Sequence, residues 1–181
     1  MVDFTEVINH RRSIRKYLNK PVPSESVKKI LFAAQKAPSW AHKQGARVIV
    51  VEDAEKMEQL RDAIGQKWVE SVPMFIVVII DPEQSGIAPN KMEYYPVDAT
   101  IVMEHIILAA TNEGLGTCWI GWFNEEDVKK CLSIPPRFRV IGLTPLGYPE
   151  KYPEPKERHE LSDFCYLDMY GDAISFDKFN G

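Results

Sequence analysis

The chain has 181 residues with 22 Lys and Arg against 26 Asp and Glu, a net charge of −4, and 45% hydrophobic residues. That length and balance fit one soluble globular domain spanning 1–181, with enough chain to bury a real core. They exclude fibrous and disordered classes and argue against a nucleic-acid partner, since no broad basic surface is implied.

Three cysteines (Cys118, Cys131, Cys165) are too few and scattered for a disulfide framework, and no CxxC is present. Four histidines (His10, His42, His105, His159) lack metal-ligand spacing, so no metal site is expected. The opening residues MVDFTE lack the basic and apolar regions of a signal peptide, and no segment is apolar enough to span a bilayer. A cytoplasmic location without membrane contact is the expectation.

Asp3 with Glu6 resembles a capping box, and Phe4, Val7 and Ile8 give a short helix ending near His10 an apolar face. Arg11-Arg12-Ser13-Ile14-Arg15 follows in irregular or extended chain. Guanidinium groups are planar, permanently charged and matched to phosphate oxygens. Cations just past a helix C-terminus are also favoured by the macrodipole and can be simply solvated. Ser24 reads as the next N-cap, with Val27, Ile30, Leu31 and Ala34 forming a helical stripe that Ala37-Pro38 stops.

Val48 to Val51 reads as a strand. Asp53 caps a third helix with Met57, Leu60, Ile64 and Trp68 on one side. Pro73 to Ile80, rich in Val and Ile, predicts a central strand. Asp81 to Pro96, with three prolines and one glycine, predicts a loop. Val97 to Glu113 predicts a helix apolar nearly all round, as found at a core or a subunit interface, closed by Gly114. Thr117 to Phe123 reads as strand-like and aromatic. Asn124 caps a short helix that begins Glu125-Glu126-Asp127. Val140 to Leu146 is the last strand, and Tyr148 to Leu161 is proline-rich and polar. Phe164, Tyr166, Leu167, Met169, Tyr170, Phe176 and Phe179 crowd the C-terminus. Residues 163–181 are therefore expected to dock, on their own core or on a second subunit.

No GxGxxG or GxxxxGK[ST] is present, which disfavours Rossmann and P-loop readings. Five segments in order resemble the nitroreductase family of FMN-dependent oxidoreductases: His10 to Tyr17, Ala37 to Gln44, Asp98 to Gly121, Pro145 to Pro149, and Pro155 to Arg158. Their order and spacing match over roughly residues 4 to 170. The resemblance implies an α+β fold with a central mixed or antiparallel sheet flanked by helices, in an interlocked homodimer with FMN at the interface.

Carried over by position, the resemblance puts Arg11, Arg12 and Ser13 on the phosphate and ribityl region, with Lys156 and Arg158 closing from the other end of the chain. Arg15 would support the flavin electrostatically near its pyrimidine edge. Pro38, Ser39, His42 and Gln44 would reach the flavin from the second subunit; the family usually has asparagine where His42 stands. Cys118, Trp119, Ile120 and Gly121 would pass beside the reactive face. The implied activity is hydride transfer from NADH or NADPH through FMN to a nitroaromatic, quinone or similar planar acceptor, with no catalytic protein residue. Trp40, Trp119, Trp122, Tyr94 and Tyr95 are candidates to line the slot. The alternatives are a flavin-fragmenting or reductively dehalogenating branch of the family, or a flavin-binding dimer without turnover.

Overall fold

The computed structural model describes residues 3–175; the expected aromatic contributions of Phe176 and Phe179 lie outside the described residues. Its scaffold is a three-stranded antiparallel sheet in the order β1 (Ala46–Val51), β2 (Phe75–Ile80), β3 (Arg139–Pro145). The expected α+β class with an antiparallel sheet is what forms. β2 is central and every residue in it is buried, as a run of Val and Ile demands.

Side chains alternate across a strand, so β2 feeds two cores. Phe75, Val77 and Ile79 face α3 (Ala54–Ile64) and α5 (Glu125–Cys131), meeting Leu60, Ile64 and Val128. Ile76, Val78 and Ile80 face α2 (Ser24–Gln35) and α4 (Tyr95–Asn112), meeting Ile30, Met103 and Ile106. Each such side chain contributes roughly 1.5–3 kcal/mol of burial. The β2–β3 register slips between Val78 and Ile79, so Ile141 is an extra residue on β3, a bulge.

α1 (Phe4–His10) starts where Asp3 accepts the Thr5 amide at 2.7 Å, and α5 where Asn124 accepts from Glu126 and Asp127. Gly114, at φ +71°, follows the end of α4 as expected. Several boundaries differ from expectation. Pro23 occupies the α2 cap and Ser24 is already helical, since proline's fixed φ suits the chain entering a helix. Asp53 does cap α3, but the helix stops at Ile64, and Trp68 sits in a separate short turn, Lys67–Ser71. α4 starts at Tyr95, two residues early, because Pro96 is tolerated in a first turn whose amides need no helical partner.

One expectation is corrected outright. Thr117 to Phe123 is not a strand: only isolated bridges form, Ser13 with Thr117 and Ile120 with Leu143. Trp119, Gly121 and Trp122 are exposed there, so no continuous ladder covers the segment. In the described part of the C-terminal segment, residues 163–175, no side chain is fully buried within the single chain. Residues 151–164 are exposed throughout, and beyond the short α6 (Leu161–Phe164) Met169 and Tyr170 are bare, Tyr170 at 91% exposure. No described helix is long and apolar enough to cross a membrane.

Candidate functional site

The arginine segment leaves α1 and runs as an extended strip between two other pieces of backbone. Ile14 N–H donates to Thr117 O at 2.8 Å on one side. On the other, Leu18 N–H donates to Tyr148 O at 2.9 Å and Glu150 N–H donates to Lys16 O at 3.0 Å. Ile14 and Tyr17 point inward and are buried, which turns Ser13 and Arg15 outward. Tyr17 is locked by its hydroxyl, which donates to Ile14 O at 2.7 Å. Close approach of the strips depends on glycine. Gly116 and Gly147 bridge each other, and a Cβ on Gly116 would stand 2.7 Å from the Ile14 side chain.

This weave brings Arg11, Arg12, Ser13, Arg15 and Cys118 into one neighbourhood. Burial pushes the Cys118 thiol up from its ordinary range, against the opposing pull of Arg15, Ser13 and Arg11. Cys118 is fixed through its backbone, its N–H donating to the Thr144 hydroxyl at 3.1 Å, while that hydroxyl donates to Pro145 O. Arg15 is exposed, with its guanidinium carbon 5.8 Å from the Trp68 ring centre. Arg12 turns one terminal nitrogen back onto Asn9 O at 2.6 Å and Arg11 O at 2.9 Å, capping α1. Its Nε is buried without a hydrogen-bond partner, the single such side-chain atom among the described residues.

The charges around the strip are equally informative. Among the described residues, Arg11, Arg12, Arg15, Lys156 and Arg158 form no ion pair. Arg61, Arg137 and Arg139 pair with Glu58, Asp81 and Glu125, while Arg47 bonds only backbone carbonyls. These five cations have no carboxylate partner among the described residues, and Arg12 spends one terminal nitrogen on backbone carbonyls. Lys156 and Arg158 stand exposed in the C-terminal segment. That segment meets the arginine strip at residues 148–150, and Tyr152 returns to α1 in a cleft of about 310 Å³ with Glu6, Val7, His10 and Thr111.

The 38–44 loop is a separate construction. Ala41, His42 and Gln44 all adopt positive φ (44°, 58° and 54°), a region that costs a residue with a Cβ roughly 1–2 kcal/mol. Ser39 Oγ accepts the Gln44 N–H at 2.9 Å, and the Gln44 amide lies 3.0 Å from His42 Nε2. Pro38 and these polar side chains face solvent or are half-buried. Trp40 and Tyr94 pack against each other at a tilt, with ring centres 4.6 Å apart, and the Tyr95 hydroxyl accepts from Arg139. Trp122 is 80% exposed and Trp119 partly so.

Sequence reasoning missed Asp98, Ser85 and Thr144. All three are buried polar residues whose hydrogen bonds join segments far apart in the chain. One signal for Asp98 was legible: a lone carboxylate in the first turn of the most apolar helix.

The nitroreductase family model matches residues 8–78 and 65–148. The chain belongs to the nitroreductase family. A nitroreductase family protein from Clostridium novyi NT has a crystal structure that superposes with a TM-score of 0.79 at 38% identity, covering 99% of this chain and 100% of that one. A Methanothermobacter thermautotrophicus protein named as an NADH dehydrogenase/NAD(P)H nitroreductase is 34% identical over 157 residues, 84% of this chain and 80% of its own. The NAD(P)H FMN reductase of Bacillus subtilis is 29% identical over 167 residues, 82% of this chain and 67% of its own.

Proposed function

We propose that this nitroreductase family member is an FMN-dependent oxidoreductase that works as a homodimer in the cytoplasm. FMN, when bound, supplies hydride transfer from NADH or NADPH to a nitroaromatic, quinone or similar planar acceptor. The observation that carries the reading is the set of unpaired cations along the arginine strip, with the buried, unpartnered Nε of Arg12 among them. A phosphate is the anion that such a set fits, because several charge-assisted donors can share one dianion.

Arg11, Arg12 and Ser13 hold that phosphate from the N-terminal side, and Lys156 and Arg158 hold it from the C-terminal side. With FMN bound, Arg15 would place positive charge beside the ring, electrostatic support that needs no proton transfer from the protein. Cys118, Trp119, Ile120 and Gly121 support one side of the ring through backbone already fixed to β3. Pro38, Ser39, His42 and Gln44 reach it from the second copy. The homodimer is supported by apolar surface that the single chain leaves bare: Phe4 and Ile8 on α1, Phe32 on α2, and Phe164, Met169 and Tyr170.

A visible absorption spectrum tests the reading. Purified protein is yellow, takes up FMN stoichiometrically after cofactor removal, and is bleached by NADH or NADPH without oxygen. Colourless protein that cannot be reconstituted with FMN contradicts it. Turnover with a panel of nitroaromatics, quinones and halogenated phenols then assigns the acceptor; halide release, or loss of the flavin ring itself, would move the chain to the dehalogenating or fragmenting branch.

A further inference from the structure

We infer that Asp98 is a positioning residue: its buried carboxylate clamps Trp40 to Ser85 and so holds the 41–44 turn, with its left-handed Ala41, His42 and Gln44, in the shape that presents Ser39, His42 and Gln44. Asp98 lies in the first turn of α4 and is 3% exposed. Its Oδ1 accepts the Trp40 N–H at 2.8 Å, and its Oδ2 accepts the Ser85 hydroxyl at 2.7 Å. No cation pairs with it among the described residues. A buried carboxylate without a counter-charge is costly, and this one spends both oxygens on joining the 38–44 loop and the 81–94 loop to α4.

The clamp sits immediately before the strained residues. Trp40 is the last position before the run of positive φ at Ala41, His42 and Gln44. None of the three is glycine, so the chain has no intrinsic preference for this turn and the surroundings must impose it. Three further contacts converge on the same point. The Trp40 ring packs at a tilt on Tyr94 and lies against the bare Cα of Gly86, and Lys43 Nζ donates to Ser85 O at 2.6 Å. Ser85 thus receives Lys43 on its carbonyl and gives its hydroxyl to Asp98, closing a loop–loop–helix junction around one carboxylate.

If the turn is only partly populated once the clamp is cut, a ligand that needs it binds more weakly in proportion to the lost fraction. That part of the inference rests on the flavin reading; the clamp itself does not. Lys43 gives a readout independent of any cofactor, because trypsin cuts after it only when the turn opens, and cleavage follows the open population. The experiment digests cofactor-free wild type, Asp98→Ala, Asp98→Asn and Ser85→Ala with trypsin, follows scission at Lys43 by mass, and titrates the same preparations with FMN.

Asp98→Ala should raise both the Lys43 cleavage rate and the FMN dissociation constant by about tenfold or more. Asp98→Asn keeps an acceptor for the Trp40 amide and a polar partner for Ser85, so both values return to within about threefold of wild type. Ser85→Ala cuts one arm of the clamp and falls between them. Unchanged Lys43 cleavage in Asp98→Ala overturns the inference, as does an Asn variant that folds yet opens as the Ala variant does. Should Asp98→Ala not fold, Ser85→Ala carries the test alone, and wild-type cleavage in it overturns the clamp. Wild type that binds no FMN contradicts the flavin reading and leaves the cleavage result decisive.

Discussion

The two basic groups proposed to share one phosphate are held in opposite ways. Arg11 to Arg15 lie on a strip pinned by backbone hydrogen bonds to Thr117 and, farther along, to Tyr148 and Glu150, with Ile14 and Tyr17 buried beneath. Lys156 and Arg158 lie in a stretch with no regular structure, every residue from 151 to 160 exposed. The fold builds one jaw of the site within a single chain and leaves the other uncovered. Just beyond that second jaw Phe164, Met169 and Tyr170 are bare, the surface that the proposed homodimer would cover.

The largest expected effect comes from separating the second jaw from that cover. Phe164→Ser with Tyr170→Ser should weaken self-association at least about a hundredfold, from the loss of roughly 1.5–3 kcal/mol per buried aromatic side chain, with little change in the chain's helix content. Sedimentation across micromolar concentrations checks this; an undisturbed dimer breaks the contrast. Next is the first jaw. Gly116→Ala places a methyl group 2.7 Å from the Ile14 side chain and should cost about 1–3 kcal/mol, lowering Tm by roughly 2–10 °C and weakening FMN binding together. An alanine variant with native stability would mean the strip is not tightly woven.

A smaller effect serves as the control outside both jaws. Burial alone would raise the Glu125 carboxyl, but hydrogen bonds from Arg139, the Val140 amide and Lys129 outweigh it and hold it below its ordinary 4.5. A depressed folded-state value stabilises the fold above pH 4.5, and that contribution is lost as pH falls through the lower folded-state value. Arg139→Ala should therefore cost roughly 1 kcal/mol near neutrality, and the difference from wild type should shrink as pH falls below 4.5, with FMN affinity unchanged. A matching loss of FMN affinity would tie this remote pair to the site.

The smallest effect is on Cys118. Its buried thiol should react slowly with iodoacetamide at pH 8. Arg15→Ala removes the largest opposing charge, pushes the thiol higher still, and should slow alkylation by a few-fold. Faster alkylation would mean that Arg15 shields Cys118 more than it polarises it.

What could be read from the chain follows from how local each feature is. The unbroken Val and Ile of β2, the Asn124 cap and the stripe of α2 are decided within one turn or one strand, and they stand where the sequence places them. Thr117 to Phe123 has strand-like residues but only isolated bridges, because the neighbours needed for a ladder come from residues 13 and 143 and touch it one at a time. The positive φ values at Ala41, His42 and Gln44 are invisible in the sequence, since none of these is a residue that turns there by preference. Asp98 showed in the sequence only as a lone carboxylate in the first turn of an apolar helix, and its meaning depends on residues 40 and 85 arriving beside it. The crowding of arginines was visible in the sequence and fitted either a phosphate or solvent, whereas their lack of carboxylate partners needed the fold.

The most direct test of the phosphate account compares FMN with riboflavin, which is the same ring without the phosphate. Wild type should prefer FMN by about a hundredfold or more, and Arg11→Ala with Arg12→Ala should cut that preference by at least about tenfold while riboflavin affinity stays the same. An FMN-to-riboflavin ratio unaffected by losing both arginines would contradict the account.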